Sequence, residues 1–313
     1  MTFLRSLAEK VCLVLALPVL VWCLGVLHFL LFREEIFLTL IAGALFFLLY
    51  FAGWFRFRAA VMLILAEVGI ALFFRCITPV QRFARTKWQT PWARRPAAGF
   101  PGKGKILFRD VRDFRYRTEN DYTVRYLDMT VDPDRLRSVD LALSHWDGLE
   151  AVAHTMLGFN FSDGKRLVLS METRLPEGRG QDAVAGLFKQ YEIIPVLGTP
   201  EDVLDLRVRY RGEDLYLYRT CVTPEQGRLL LMCIARRING GRAFYNTLTR
   251  NCSTSLAPLA EVAGGEPFRD IRVLVNGFSD RMLYELGYLK HREGESFDSL
   301  RNRSYIPGKS RGR

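Results

Sequence analysis

Two long stretches without a formal charge dominate the start of this chain: residues 11–32 and 36–55 contain no Asp, Glu, Lys or Arg. A helix of about 20 apolar residues, rising roughly 1.5 Å per residue, crosses the ~30 Å hydrocarbon core of a bilayer. A third run, residues 59–74, is interrupted only by Glu67 and continues past Arg75 to about Ile77. The first run alone has the length of a signal peptide, but two more follow at once and no small-residue cleavage site separates them. The sequence therefore predicts a membrane anchor of three transmembrane helices over residues 1–78.

Short loops that carry Lys and Arg stay in the cytoplasm. Arg5 and Lys10 precede the first run, and Arg56 and Arg58 lie between the second and third. The predicted topology thus has a cytoplasmic N-terminus, three crossings of the inner membrane and a periplasmic C-terminal domain. Residues 82–105 oppose this placement with seven basic residues and no acid, although long domains translocate largely regardless of charge. Together with five more positives in residues 301–313, they exceed the net charge of +11, so the rest of the chain is close to neutral. A basic collar beside a span suits anionic lipid headgroups, at about 1 kcal/mol per residue near the surface. Nucleic-acid binding would place basic residues on the folded domain instead, so a phospholipid membrane is the expected partner and nucleic acid is not.

The polar part divides into a basic linker at 79–105, a globular domain at 106–295 and a basic tail at 296–313. Trp88 and Trp92 in the linker suit the headgroup level. Strands are expected at 122–131 and 152–161, with Asp163-Gly164 turning the second into a returning strand at 166–173. Residues 180–190 have a helical pattern and 191–197 that of a strand. Thr199-Pro200-Glu201-Asp202 and Thr223-Pro224-Glu225-Gln226 both combine a Thr cap with Pro at the first helical position. The second opens an amphipathic helix reaching about Ile238, and 215–219 is a strand between the two. A last helix is expected from just after Cys252 to near Gly264. Hairpin strands with separate helices make the class α+β.

Of six cysteines, only Cys221, Cys233 and Cys252 belong to the domain, an odd number that leaves at least one thiol outside any intradomain disulfide. No pair has metal-ligand spacing, so neither a metal nor a cofactor is expected. Cys252 follows a polar segment and opens a helix, where unpaired N–H groups lower a thiol pKa and a neighbouring imidazole lowers it further. The amides of that turn are placed to bind an oxyanion. His154 lies 98 residues earlier, near the start of a strand, and such a distant Cys and His is the expected arrangement for cysteine catalysis. A lone Cys is also commonly a small buried apolar residue, and spacing alone leaves that alternative open. Cys233 sits on an apolar helix face with Leu229, Leu230 and Ile234. Ser170, Glu172 and Thr173 on the returning strand are candidates to orient His154. A two-residue turn sets Thr173 opposite His154, whereas a bulged turn sets Glu172 there. Glu172 is the better partner chemically, with a surface pair to Arg174 as its alternative.

His154-Thr155-Met156-Leu157-Gly158-Phe159, Ser170-Met171-Glu172-Thr173-Arg174, Tyr245-Asn246 and Asn251-Cys252 together resemble the Lnb-type periplasmic domain family. Phe188-Lys189-Gln190-Tyr191-Glu192 and Tyr210-Arg211-Gly212-Glu213-Asp214 fit its blocks too. The resemblance implies a circularly permuted papain-like domain, of the NlpC/P60 and lecithin:retinol acyltransferase kind, in which His precedes Cys. It implies Cys252 as nucleophile and His154 as base; the candidate site adds Glu172 from the hairpin, with Tyr245, Asn246 and Asn251 as candidate substrate contacts. A lipoprotein N-acyltransferase in that family implies acyl transfer from phospholipid, through a Cys thioester, to an amine such as a lipoprotein N-terminus. Alternatives are a cysteine hydrolase acting on peptidoglycan or protein, and a non-catalytic membrane-anchored binding domain. Gly158 and Arg250 depart from the family's Ser and Thr. The membrane segments precede this domain, whereas in the acyltransferase they follow it.

Overall fold

The computed structural model describes residues 2–55, 57–146, 148–262 and 264–308, which form two compact units. The first unit runs to Thr86 and recruits Gly180–Glu192 and Phe244–Thr247; the second holds Lys87–Arg179, Ile193–Ala243 and the chain from Leu248 on.

The first unit is built on α1 (Thr2–Val26), α2 (Ile36–Phe55) and α3 (Phe57–Cys76), with the short α4 (Pro79–Phe83) behind them. Leu13, Leu20, Phe46, Ala60 and Leu63 make its core, while Leu15, Val21, Phe37, Leu40 and Phe47 point outward. The expectation of three spans is corrected here. Among the described residues only Leu13–Leu31 is long and apolar enough to cross a membrane, with mean hydropathy 2.5 over 19 residues. The apolar part of α2, Ile36–Ala52, is shorter, and α3 carries Arg58, Glu67 and Arg75 within one helix length.

The recruited segment 180–192 ties the ends of α1 and α3 together. Lys189 Nζ donates to the carbonyls of Phe74 at 2.6 Å and Ile77 at 2.9 Å, groups that the end of a helix leaves unpaired. Gln190 Nε2 donates to Phe29 O at 3.0 Å, and Phe188 stacks on the Phe29 ring. Of the helix expected over 180–190, only a single turn at Ala185–Leu187 forms. Lys189, with φ +55°, takes the left-handed conformation that ends it.

The second unit is α+β around a large, mostly antiparallel sheet. Its strands are β1 (Ala97–Gly102), β2 (Lys105–Arg112), β3 (Arg115–Tyr116), β4 (Tyr122–Thr123), β5 (Tyr126–Val131), β6 (Leu136–His145), β7 (Ala153–Phe161), β8 (Arg166–Arg174), β9 (Glu192–Gly198), β10 (Asp214–Arg219), β11 (Ala243–Phe244) and β12 (Tyr305–Ile306). The main order is β1-β2-β9-β8-β7-β6-β10-β12, with β2 and β9 parallel and β5 added on β2; β3 and β4 form a separate ribbon. The helices are α5 (Pro200–Asp205), α6 (Pro224–Ile238), α7 (Cys252–Leu256), α8 (Pro258–Val262), α9 (Ser279–Glu285) and α10 (Phe297–Ser304).

Three boundaries differ from the sequence expectation. The strand expected over 122–131 breaks into β4 and β5. The helix expected to run from Cys252 to Gly264 breaks at Pro258, which cannot complete an intrahelical bond. Residues 79–105 and 296–313, expected as linker and tail, contain α4, β1, α10 and β12, and the last pairs with β10. Both expected Thr–Pro helix starts exist, but only Thr223 forms the capping box with Gln226. Thr199 instead donates to Asp113 at 2.8 Å.

The β7–β8 hairpin positions the site. Phe161 and Lys165 bracket a three-residue loop in which Gly164 has φ +83°, the left-handed residue such loops require. The resulting register pairs Asn160 with Arg166 and Met156 with Ser170. Extended two residues further, it sets Glu172 across from His154, the bulged alternative. Strand alternation sends Phe159, Leu167 and Leu169 to the α6 side, where they meet Leu230, Leu231, Ile234 and Ile238. Met156 and Val168 go to the other side with Ala142, Leu215 and Val203 of α5.

Candidate active site

The first turn of α7 lies against the start of β7. Asn251 is the N-cap: its Oδ1 accepts from Thr254 N at 3.0 Å, and its own N–H donates to Thr254 Oγ1 at 2.8 Å. Cys252 is therefore the first helical residue. Thr155 Oγ1 and Ser253 Oγ are 2.8 Å apart, joining strand to helix. Asn276, only 5% exposed, locks the junction. Its Oδ1 accepts from Ala153 N at 3.0 Å, and its Nδ2 donates to Ser253 Oγ at 2.8 Å and to Ala153 O. The same Nδ2 lies 3.5 Å from Cys252 Sγ, and the thiol itself points to Ala153 O at 3.9 Å.

The thiol pKa moves opposite to the sequence expectation. Burial pushes it up, and the backbone N–H groups of Thr155 and Ser253, the Ser253 hydroxyl and the Arg207 charge offset only part of that. With five residues, α7 has a small dipole to set against desolvation. The resting group is a thiol surrounded by donors that favour its thiolate.

His154 turns to the other side of β7. Its Nε2 is 2.6 Å from Ser170 Oγ, and Ser170 Oγ donates to Glu172 Oε1 at 2.9 Å. Glu172 Oε2 accepts from Trp92 Nε1, and Oε1 is 3.6 Å from Arg207 Nη2. Arg207 pairs in turn with Glu213 at 3.1 Å, and Glu213 accepts from Ser144 at 2.6 Å. Burial opposes the Glu172 charge, but Arg112, Arg207 and the Trp92 hydrogen bond outweigh it and hold its pKa at about 2. Burial, reinforced by Arg207, lowers the His154 pKa to about 3. An ionised Glu172 only accepts, so Ser170 spends its proton on it and must accept from His154 Nε2–H. That fixes the tautomer with Nδ1 unprotonated, the form a general base needs. Among the described residues no hydrogen bond joins Cys252 Sγ to the imidazole. The structure brings the thiol to the backbone on either side of His154, not into contact with its ring nitrogens.

The other sequence candidates are placed as follows. Glu172 does not pair with Arg174, which donates to the carbonyls of Trp92 and Ala93. Tyr245 and Asn246 belong to the first unit, where Tyr245 accepts from Gln181 and Asn246 donates to Leu187 O. Asn251 serves as the helix cap. Cys233 packs against the main core, and Cys221 is exposed. Cys221, Cys233 and Cys252 are all free thiols. Among the described residues no cluster of three His, Cys, Asp or Glu could hold a metal ion. Trp88 and Trp92, expected at headgroups, are domain residues: Arg174 stacks on Trp88 at 4.4 Å and Trp92 holds Glu172.

Sequence reasoning missed Trp92, Arg207 and Asn276. Their partners lie 80, 35 and 24 residues away, at Glu172, Glu172 and Cys252 respectively. Asn276-Gly277 does carry a local signal: a Cβ on Gly277 would sit 1.7 Å from Glu150 O, so the chain passes too close there for any other residue.

Residues 122–277 match the family model of the Lnb N-terminal periplasmic domain, a span containing His154, Ser170, Glu172, Cys252 and Asn276. No curated protein and no solved structure matches the chain. The match and the motifs agree on one assignment: residues 122–277 are an Lnb-type periplasmic domain, preceded in the chain by an N-terminal apolar helix long enough to span a membrane.

Proposed function

We propose that the protein is a membrane-anchored thiol acyltransferase of permuted papain-like type, with its domain in the periplasm. The reading rests on one observation: the Cys252 thiol lies among Asn276 Nδ2 and the N–H groups of Thr155 and Ser253, against the backbone that flanks His154, a histidine whose tautomer leaves Nδ1 free. In the reaction, Cys252 Sγ attacks the ester carbonyl of a phospholipid and its proton passes to His154 Nδ1. This step requires the His154 ring, turned to the other side of β7 in the free protein, to reach the thiol directly or through one water in the substrate complex. The tetrahedral oxyanion is stabilised by the same donors, the lysophospholipid alcohol leaves with the proton from His154, and a thioester remains. An amine, such as a lipoprotein N-terminus, then attacks the thioester, its proton goes through His154 to the departing thiolate, and an amide is released. The helix Leu13–Leu31 supports this reading because it holds the domain where such a donor lies.

The test is transfer in a purified system: full-length protein, phospholipid vesicles labelled in the acyl chain, and a peptide with a free N-terminal amine. The expected products are labelled N-acyl peptide and lysophospholipid in equal amounts, both lost in Cys252→Ser. Free fatty acid in place of N-acyl peptide would make the protein a hydrolase, and neither product would leave the domain non-catalytic.

A further inference from the structure

A cavity of about 300 Å³ opens in the second unit on the α6 side of the sheet. One end is lined by Thr155, whose backbone N–H points to the Cys252 thiol, and by Ser253, the residue after Cys252 in α7. From there it follows Leu157 and Leu141, which face each other across β7 and β6, to Val139, the partner of Phe159. Leu230, Leu256, Leu259 and Met282 close it from above. From Thr155 to the level of Phe159 is four strand positions, or about 13 Å at roughly 3.3 Å per residue. One leaflet of a bilayer has a hydrocarbon depth of about 15 Å, half of the ~30 Å core. The cavity is therefore close to one acyl chain in length, is mainly apolar along its walls, and ends at the two residues that flank the thiol. A narrow apolar cavity of this kind holds hydrocarbon in preference to water, which finds too few polar partners there.

We propose that this cavity seats a single acyl chain of the donor lipid, with its carbonyl at Cys252 and its methyl end against Val139 and Leu230. The proposal rests on the acyl-transfer reading of Cys252 and extends it: the cavity selects the chain and measures its length. A bulky side chain at Val139 shortens the chain accepted without touching the thiol, because Val139 lies on β6 at the far end of the cavity.

The full-length protein, in a sterol-based detergent whose rigid rings do not resemble an alkyl chain, is treated with N-ethyl-, N-hexyl- and N-dodecylmaleimide. Labelling is assigned by peptide mass at Cys252 and at the exposed Cys76, which reports any gain due to the micelle. Each buried methylene favours binding by about fourfold. The Cys252 rate, corrected by Cys76, should therefore rise at least tenfold from ethyl to dodecyl. Val139→Trp should abolish that rise, the ratio of dodecyl to ethyl labelling at Cys252 falling to the ratio at Cys76. Free dodecanoate should slow dodecyl labelling of the unmodified protein and spare ethyl labelling, a measurement that does not depend on the variant folding. Equal chain-length dependence at Cys252 and Cys76 would overturn the cavity assignment and leave the reactive thiol standing. A Cys252 that no maleimide labels in the folded protein would overturn both.

Discussion

Strands β7 and β8 present two unlike faces. Toward α5 they carry His154, Ser170 and Glu172, joined to Arg207, Glu213 and Ser144 in a buried network of charges. Toward α6 they carry Leu157, Phe159, Leu167 and Leu169, apolar and partly lining a cavity. Cys252 sits where the two meet, against Ala153 and Thr155 at the strand's start. On the proposed reading one face prepares the proton acceptor and the other accommodates hydrocarbon, and a two-residue period separates the tasks within a single hairpin. On that reading, charge and acyl chain do not share a compartment.

The largest expected effect falls on the charged face. Arg207→Met removes the cation between Glu172 and Glu213 and leaves two buried carboxylates, a change that costs about 3–5 kcal/mol. Denaturant unfolding should show it as a large fall in midpoint at neutral pH. Next is Glu172→Gln. An amide can donate to Ser170, which removes the preference for Nε2–H on His154. Turnover should fall by about 10²-fold or more, with smaller change in substrate affinity. A Glu172→Gln protein with normal turnover would separate the network from catalysis.

The junction itself should respond less. Asn276→Ala leaves the Ala153 N–H without its side-chain acceptor, removes one of two partners of the Ser253 hydroxyl, and should cost about 1–3 kcal/mol. It should also raise the pH at which Cys252 alkylates, because one donor to the thiolate is gone. A purely structural Asn276 would change the first quantity and not the second.

The smallest effect is a pH slope. His154 has its folded pKa lowered to about 3, so the unfolded chain binds a proton that the folded protein does not between about pH 6.5 and 3. The stability linked to this group is complete above about pH 6.5 and declines as pH falls, by up to about 1.4 kcal/mol per pH unit. His154→Gln should flatten stability between pH 6.5 and 5, above the range where Glu172 begins to protonate. An unchanged slope would mean that the ring is already solvated.

Much of this hairpin was legible in the sequence. Asp163-Gly164 marked its turn, the period-two pattern marked both strands, and the bulged register bringing Glu172 opposite His154 was one of two options. The capping chemistry of Thr223 and Gln226 located α6, and a helix starting at Cys252 was read correctly. What escaped was set by partners distant in the chain. The pattern over 180–190 looked helical, yet Lys189 and Gln190 bind helix-end carbonyls of the first unit. Trp92 looked like a headgroup anchor, because nothing nearby shows that Glu172 will need an indole donor. The direction of the Cys252 pKa was misread for a related reason: a helix start is a local feature, whereas the burial that outweighs it is assembled from β7, α7 and Asn276.

The central claim is that Cys252 carries the acyl group. Full-length protein incubated with a phospholipid of one defined chain, without an amine acceptor, should gain the mass of that chain on the peptide containing Cys252. Hydroxylamine should remove it, since it cleaves thioesters where amides resist, and Cys252→Ser should gain nothing while staying folded. A protein that acylates an amine with no such adduct, or a Cys252→Ser variant that still supports transfer, would contradict the account.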